Sequence, residues 1–349
     1  MKSVLNTNNP NNRRNKLFFG EKLGICNFAD MKYPIFKKLY DEQLSFFWRP
    51  MEVNMGRDAN DIKNMSPKQR SIFEKNISFQ TLGDSFLGKG IEGILSHVTN
   101  NELYQSLNVH AFFEASIHTP SYSHIFENIY NDPSEKFYGI LEDKEILGRA
   151  EESTKKFNAL LNNTDLDPRK DILNTIVGLL ALESISFYNS FLTSYYFAKN
   201  GLMSGTGTII TLINRDEYLH KSNCINILKI LMREESEGFL DLKDEIINKI
   251  YDSFVEMANQ EFNWVEYLLS EGELPGLSKE GLKTYVKYLT NRSLGELGFT
   301  KKIFEDVQNP FAWVNSYQSS SKSTQVAPQE QTLNSYVKST KNDLEDIKW

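Results

Sequence analysis

The 349-residue chain has few cysteines, no long apolar run and no excess of positive charge, and each scarcity excludes a class of protein. Its two cysteines, Cys26 and Cys224, are too few for a disulfide framework and indicate a reducing, cytoplasmic compartment. The longest apolar stretch, residues 176–182 with one glycine inside it, is far shorter than the roughly 20 residues that span a bilayer. Lys and Arg number 39 against 46 Asp and Glu, so neither a non-specific nucleic-acid binder nor a polybasic membrane protein is expected.

Apolar residues recur at helical spacing along most of the chain, and no segment shows the sustained alternation of a half-buried strand. Several predicted helices are longer than about 20 residues and the links between them are short, which favours an all-α bundle. The predicted helical segments are residues 33–48, 66–87, 101–130, 167–200, about 206–232, 241–270 and 278–297.

The second of these segments has the clearest boundary signals. Ser66 is a good N-cap, Pro67 occupies the first helical position, and Gln69 completes a capping box. Gly88-Lys89-Gly90 is predicted to end the helix, because glycine commonly follows the last helical turn.

Composition divides the chain into three parts. Residues 1–16 are polar and rich in asparagine, which predicts a loose N-terminal arm, and residues 17–315 carry the helical pattern. Residues 316–349 are rich in Ser, Thr, Gln and Asn and poor in aliphatic side chains, which predicts a flexible tail. The tail ends at Trp349 in apolar residues set among charges, a pattern suited to docking on a partner.

Carboxylates inside apolar helical faces are the informative feature of the sequence. Glu183 lies in the segment LLALESISFY, where an ionised side chain is costly to bury unless it is paired or bound to a metal. Glu217 and His220 form a Glu-x-x-His pair on one predicted helix face. Glu114 and His118 are four residues apart and share the face of another helix.

Taken singly, each of these features has a plain structural explanation, such as a Glu paired with a Lys or a polar pair on a helix surface. Together with Asp84 they follow the order carboxylate, pair, carboxylate, pair on four predicted helices. Ferritin-like dimetal proteins build their site from one carboxylate on each of two helices and a Glu-x-x-His on each of the other two. Four carboxylates balance the charge of two divalent cations, so the pattern predicts a dimetal site.

The remaining histidines and the second cysteine are not assigned to this site. His97, His110 and His124 lack a complete set of ligand partners, and His124 is predicted to be a polar core or surface residue. Cys224 is predicted to be buried packing. Gly205-Thr206-Gly207 follows no strand and is interpreted as a helix-entry loop rather than a nucleotide site.

Seven short segments of the chain match a known family in the same order. They read QLSFFWRPMEV, QTLGDS, SIHTPSYSHI, ALESISFY, NRDEYLH, QVAPQE and NSY. On these segments the sequence resembles, along nearly its whole length, the small, radical-generating subunit of class I ribonucleotide reductase in its bacterial and phage forms. The resemblance implies a ferritin-like bundle that stores a radical and allows a large subunit to reduce ribonucleotides to deoxyribonucleotides.

The resemblance also implies roles for individual residues. The metal ligands it implies are Asp84, Glu114, His118, Glu183, Glu217 and His220. Tyr122 matches the tyrosine that stores the radical, while Trp48 and Asp216 match the residues that link the site to the surface. Tyr336 matches the tail tyrosine that relays the radical to the large subunit. Phe187, Phe191 and Ile213 match the apolar residues that surround the radical.

The same resemblance implies cofactors and partners. It implies two metal ions, with di-iron favoured and a manganese–iron or dimanganese pair left open. It also implies a homodimer whose tail, residues 316–349, docks on the large subunit.

One segment departs from the family pattern, which has Glu-x-x-His on the third helix where this chain has Glu114 four residues before His118. Aligning straight back from His118 puts Ala115 at the ligand position, whereas one inserted residue restores Glu114, and we favour the insertion. An extra residue in a helix near a functional site forms a π-bulge, which would also relieve the clash of Pro120 with the carbonyl of Ser116.

Two alternatives stay open from the sequence. One is another ferritin-like dimetal oxidase, which would need neither Tyr336 nor a docking tail. The other is a metal-binding or metal-free scaffold, which would follow if Glu114 were lost from the site.

Overall fold

Helices form nearly all of the regular structure in the computed structural model, which describes residues 6, 12–21, 24–162 and 165–319. Within those ranges, β-structure is limited to the isolated bridges Phe18–Val98 and Leu274–Leu277. The predicted all-α fold is therefore confirmed. In chain order the α-helices are α1 Pro34–Ser45, α2 Asp58–Asn64, α3 Pro67–Leu95, α4 Asn101–Phe113, α5 Thr119–Ile129, α6 Pro133–Ile140, α7 Lys144–Asn162, α8 Pro168–Ala181, α9 Phe187–Lys199, α10 Ser204–Leu231, α11 Lys243–Leu268, α12 Lys279–Leu297 and α13 Asn315–Ser319.

The centre of the bundle consists of α3, the α4–α5 run, the α8–α9 run and α10. Helix α3 packs against α4 and α9, and α10 packs against α4, α8 and α9. Helix α1 covers α4 and α10, α7 covers α3 and α8, and α11 and α12 pack against each other on the α8–α9 side. Side chains on the inner faces of the four central runs therefore meet in one enclosed volume.

Helix α3 begins as predicted and ends later than predicted. The capping box is present, with Gln69 N donating to Ser66 Oγ (3.3 Å) and Ser66 N donating to Gln69 Oε1 (3.0 Å). The predicted end at residues 88–90 is wrong, because the helix continues to Leu95. The glycines serve close packing instead: a Cβ on Gly90 would lie 2.5 Å from the ring of Phe157.

The run from Pro168 to Lys199 is long and apolar enough to cross a membrane by length and composition. However, 94% of its most apolar window is buried inside the bundle, as in the core helix of a globular protein. Its apolarity is accounted for by its central position among α3, α10 and α11.

The two ends of the chain are described only in part. In the predicted N-terminal arm, Asn15 is buried and its amide donates to Thr99 O (2.7 Å), so this end of the arm is held against the bundle rather than loose. In the predicted tail, Tyr336 and the rest of residues 320–349 lie outside the described residues.

Candidate metal centre

Six predicted site residues meet between the central helices. Helix α3 contributes one, the α4–α5 run two, the α8–α9 run one and α10 two. Each is at most 1% exposed, so the cluster is closed off from solvent. The six are Asp84, Glu114, His118, Glu183, Glu217 and His220.

The predicted π-bulge is confirmed at Glu114–His118, where a π-helical turn joins α4 to α5. Thr119 donates its backbone N–H to Glu114 O, five residues back, and its hydroxyl donates to the same oxygen (3.0 Å). The wider turn leaves room for the ring of Pro120, which would clash with the preceding turn of a regular α-helix. Glu114 is buried whereas Ala115 is exposed, as the alignment with an inserted residue requires.

A second π-helical turn, Leu182–Ser186, carries Glu183 and joins α8 to α9. The sequence pattern predicts an unbroken helix here, so the turn is a correction. Phe187 donates its backbone N–H to Leu182 O, and Ser184 donates its hydroxyl to Leu180 O. Serine hydroxyls that bond back to the preceding turn compete with the backbone ladder and bend helices. Glu183 therefore lies on a widened turn, like Glu114.

The oxygen atoms of Glu114 and Glu217 are shared between two histidines. His118 Nδ1 lies 3.5 Å from Glu114 Oε2 and 3.3 Å from Glu217 Oε1. His220 Nδ1 lies 3.0 Å from Glu114 Oε1 and 3.5 Å from Glu217 Oε2. Asp84 Oδ2 lies on the His118 side of the cluster, 3.9 Å from His118 Nδ1. Each glutamate thus presents one oxygen to each histidine, the arrangement expected of carboxylates that bridge two ions.

His110 also lies in the cluster, although the sequence alone predicts no complete set of ligand partners for it. Its Nε2 is 3.0 Å from Glu183 Oε1 and 3.7 Å from Glu114 Oε1. Its ring stacks on that of His220, with 3.7 Å between the centroids. The ligand atoms of these four residues all lie within 4.8 Å of one another, so the expectation that His110 lacks a set of neighbouring ligand partners was wrong. The available signal was its position one helical turn before Glu114, which puts both on one face.

Many polar atoms of the cluster have no hydrogen-bond partner among the described residues. They include both carboxylate oxygens of Asp84, Glu114 and Glu217, and Nδ1 of His118 and of His220. Buried carboxylates without partners are strongly destabilising, whereas convergent oxygen and imidazole donors satisfy first-row divalent metals. The donor set therefore fits two metal ions.

The pKa values of the cluster are displaced in opposite directions. Burial raises the pKa of Asp84 and of Glu183 well above the usual carboxyl range. Burial also acts to raise the pKa of Glu114, but the charge of His118 and the close approach of the other histidines outweigh it and leave this pKa well below the usual range. Burial and the neighbouring charges therefore act differently on these carboxyls, and bound cations would favour the ionised form of each.

Tyr122 is fully buried next to the cluster, on α5. Burial and then the charge of Asp84 raise the pKa of its phenol well above the usual value, so the hydroxyl stays protonated. Phe187 packs onto the backbone beside Asp84, since a Cβ on Gly83 would lie 3.0 Å from its ring. The apolar residues predicted to surround the radical are all buried: Phe187, Phe191 and Ile213.

A hydrogen-bonded chain leads from the cluster to Trp48, which lies in the loop after α1. Trp48 Nε1 donates to Asp216 Oδ2 (2.8 Å), and His118 Nε2 lies 3.2 Å from the same oxygen. Arg215 fixes the loop from the other side by donating to Phe46 O (2.6 Å). Asp216 thus orients both the indole and the imidazole, as carboxylates behind metal-bound histidines do.

A helical bundle that encloses four carboxylates and several imidazoles in this arrangement defines a ferritin-like dimetal-carboxylate protein. Comparison with known proteins identifies the family. The family described as "Ribonucleotide reductase, small chain" matches residues 25–310. The ribonucleoside-diphosphate reductase subunit beta of Buchnera aphidicola (subsp. Baizongia pistaciae) is 35% identical over 96% of this chain and 94% of its own length. That of Enterobacteria phage T4 is 30% identical over 99% of this chain and 97% of its own.

Solved structures agree with the sequence comparisons. The ribonucleotide reductase R2 subunit from Clostridium botulinum has a TM-score of 0.83 and 27% identity, covering 91% of this chain and 98% of its own. The Streptococcus sanguinis dimanganese(II)-NrdF shares the fold, with a TM-score of 0.69 and 21% identity over 84% of this chain and 98% of its own. The chain belongs to the ribonucleotide reductase small-chain family, the radical-generating subunits of class I ribonucleotide reductase.

Proposed function

We propose that six residues would hold the dimetal centre of this subunit, with Glu114 and Glu217 lying between its two sides. Asp84 and His118 complete one side, and Glu183 and His220 complete the other. This division follows the distances between the oxygen and nitrogen atoms of these side chains. The observation that carries the proposal is the set of buried carboxylate oxygens without hydrogen-bond partners among the described residues. The donor set suits iron or manganese, so metal analysis must decide between di-iron, manganese–iron and dimanganese centres.

We further propose that Tyr122 is the side chain that stores the radical. The metal pair, when bound, supplies the electrons for dioxygen cleavage and the oxidising power for one side chain. The protein's contribution is enclosure: Tyr122 is 0% exposed, and Phe187, Phe191 and Ile213 are buried as well. Water and reductants are thereby kept from the phenol.

The route from this site to the partner is proposed to run through Asp216 and Trp48 and then Tyr336. The hydrogen bonds that join His118, Asp216 and Trp48 support the first part. The relatives are named as beta subunits of a reductase, which supports a complex with a further subunit. A dimer of small subunits in the cytoplasm is the part of the proposal that the family resemblance supports. Docking of residues 316–349 on that subunit, with Tyr336 as relay, is the part of the proposal that rests on sequence alone.

The dimetal site is tested by loading the metal-free protein with Fe(II) or Mn(II) in air. Two ions per chain and a tyrosyl signal in electron paramagnetic resonance are expected. Fewer than two ions per chain would contradict the ligand assignment. Two ions with no oxidised tyrosine in any metal combination would leave a dimetal centre but contradict the role of Tyr122.

The tail is tested by truncation after residue 319, with Tyr336→Phe in the full chain as the finer variant. Both are expected to abolish nucleotide reduction by the two-subunit complex while metal content and the tyrosyl signal stay unchanged. Truncation should also abolish binding to the large subunit, whereas Tyr336→Phe should leave binding intact. Retained reduction in both variants would contradict the role of the tail and of Tyr336, whereas no nucleotide reduction by the unaltered chain with a large subunit would favour the alternative of another dimetal oxidase. The scaffold alternative required Glu114 outside the site, and its burial in the cluster speaks against that.

A further inference from the structure

His110 is a buried imidazole that the six-residue ligand set leaves without a role. It lies in the last turn of α4, is 1% exposed, and makes no hydrogen bond with either ring nitrogen among the described residues. An imidazole buried without partners is destabilising unless something else satisfies its nitrogen. The question is whether His110 packs beside the site or belongs to it.

The geometry around His110 is that of two ligands sharing an ion. Its Nε2 lies 3.0 Å from Glu183 Oε1, yet the N–H direction does not give a hydrogen bond. In octahedral coordination, two neighbouring ligand atoms that each lie about 2.1 Å from one ion are about 3.0 Å apart, with both lone pairs directed at the ion rather than at each other. His220 Nδ1 and Glu114 Oε1 show the same separation, 3.0 Å, on the same side of the site.

We propose that His110 Nε2 is a ligand of the ion held by Glu183 and His220, so that this side of the site carries two imidazoles and the other carries one. The proposal rests on the dimetal centre proposed above. His110, Glu114, Glu183 and His220 form one compact ligand group, whereas Asp84, Glu114 and His118 form the other. The stacked rings of His110 and His220 reach this group from α4 and α10 respectively.

A second imidazole changes the metal preference of that side. Imidazole suits iron and zinc, whereas carboxylate-rich sites suit manganese and magnesium. The His110 side is therefore expected to bind Fe(II) in preference to Mn(II), and the carboxylate-rich Asp84 side to discriminate less. The two sides are therefore expected to differ in which metal ion they bind when Fe(II) and Mn(II) are both present.

The proposal is tested first on the unaltered protein, in a crystal structure of the full chain loaded anaerobically with Fe(II) or with Mn(II). Anomalous scattering locates the ions, and a distance of about 2.2 Å from His110 Nε2 to one ion is expected. Two ions present with His110 Nε2 more than about 3 Å from both would overturn the role of His110 and leave the dimetal centre in place. Absence of two ions would overturn the dimetal centre as well.

The second test is anaerobic calorimetric titration of Fe(II) and Mn(II) into the metal-free protein. His110→Gln keeps a polar side chain at this position but removes the imidazole, so at least a tenfold loss of Fe(II) affinity at one of the two sites is expected, with a smaller loss for Mn(II). His124→Gln is the matched control, because His124 is a half-buried histidine of α5 whose Nε2 faces Val53 O at 3.2 Å. Equal affinities in His110→Gln and the control would refute metal ligation by His110.

Discussion

Asp216 offers the sharpest test of how the protein supports the metal centre. Its Oδ2 atom accepts from Trp48 Nε1 at 2.8 Å and lies 3.2 Å from His118 Nε2, and it is fully buried. The substitution Asp216→Asn keeps the shape of the side chain, and its amide oxygen can occupy the position between the two rings. What it removes is the negative charge that strengthens both hydrogen bonds.

The size of the effect follows from those two bonds. A hydrogen bond to a charged group contributes about 1.5–3 kcal/mol and one between neutral groups about 0.5–1.5 kcal/mol, so the substitution costs roughly 1 kcal/mol per bond. If only the weaker hydrogen bond to His118 lowers the free energy of metal binding, the metal affinity falls about fivefold. If the weakening of both bonds does so, the affinity falls about 30-fold. The upper part of this range overlaps the 10- to 100-fold effect that is typical of residues behind metal-bound histidines.

The assay is anaerobic metal titration, in which only the ion on the His118 side should bind more weakly. Asp58→Asn is the matched control, since Asp58 is a buried aspartate that accepts from Gly205 N (2.9 Å) and Thr206 N (2.7 Å) at the start of α10. The control should lower thermal stability and leave both metal affinities unchanged. Equal weakening of both ions in Asp216→Asn, or no weakening at all, would refute the orienting role of Asp216.

Three further predictions concern the radical site and the helices. Tyr122→Phe should abolish the tyrosyl signal without changing metal stoichiometry, and a persistent signal of the same line shape would assign the radical elsewhere. Gly90→Ala should be less stable than Gly148→Ala by about 1–3 kcal/mol in thermal unfolding, because a Cβ at Gly90 meets Phe157 whereas one at Gly148 meets nothing within 4 Å. Both glycines are helical, so the gain in helix propensity is common to the pair and cancels. Ser66→Ala should cost about 1 kcal/mol through loss of the cap on α3, and an unchanged melting temperature would contradict that contribution.

Much of the fold and part of the site could be predicted from local sequence. The cap at Ser66 and the apolar periodicity of 167–200 act over a few residues, so the helices they predict are present in the structure. Glu183 within an apolar stripe was informative because a buried charge needs a partner wherever the helix packs. The extra residue before His118, together with Pro120, indicated a π-turn because both are constraints on one stretch of backbone.

What local sequence could not decide was which distant residues meet. Gly88 and Gly90 have the pattern of a helix end, but α3 continues through them. They are glycines because α7 and the π-turn before α5 pack too closely there for a side chain. His110 lies one helical turn before Glu114 in sequence, but only tertiary packing brings it within reach of Glu183 on the α8–α9 run and of His220 on α10. Periodicity, helix caps and turn strain are properties of contiguous residues, so they can be predicted from the sequence. The sharing of two glutamates between two histidines depends on how four helices cross, and only tertiary packing decides that.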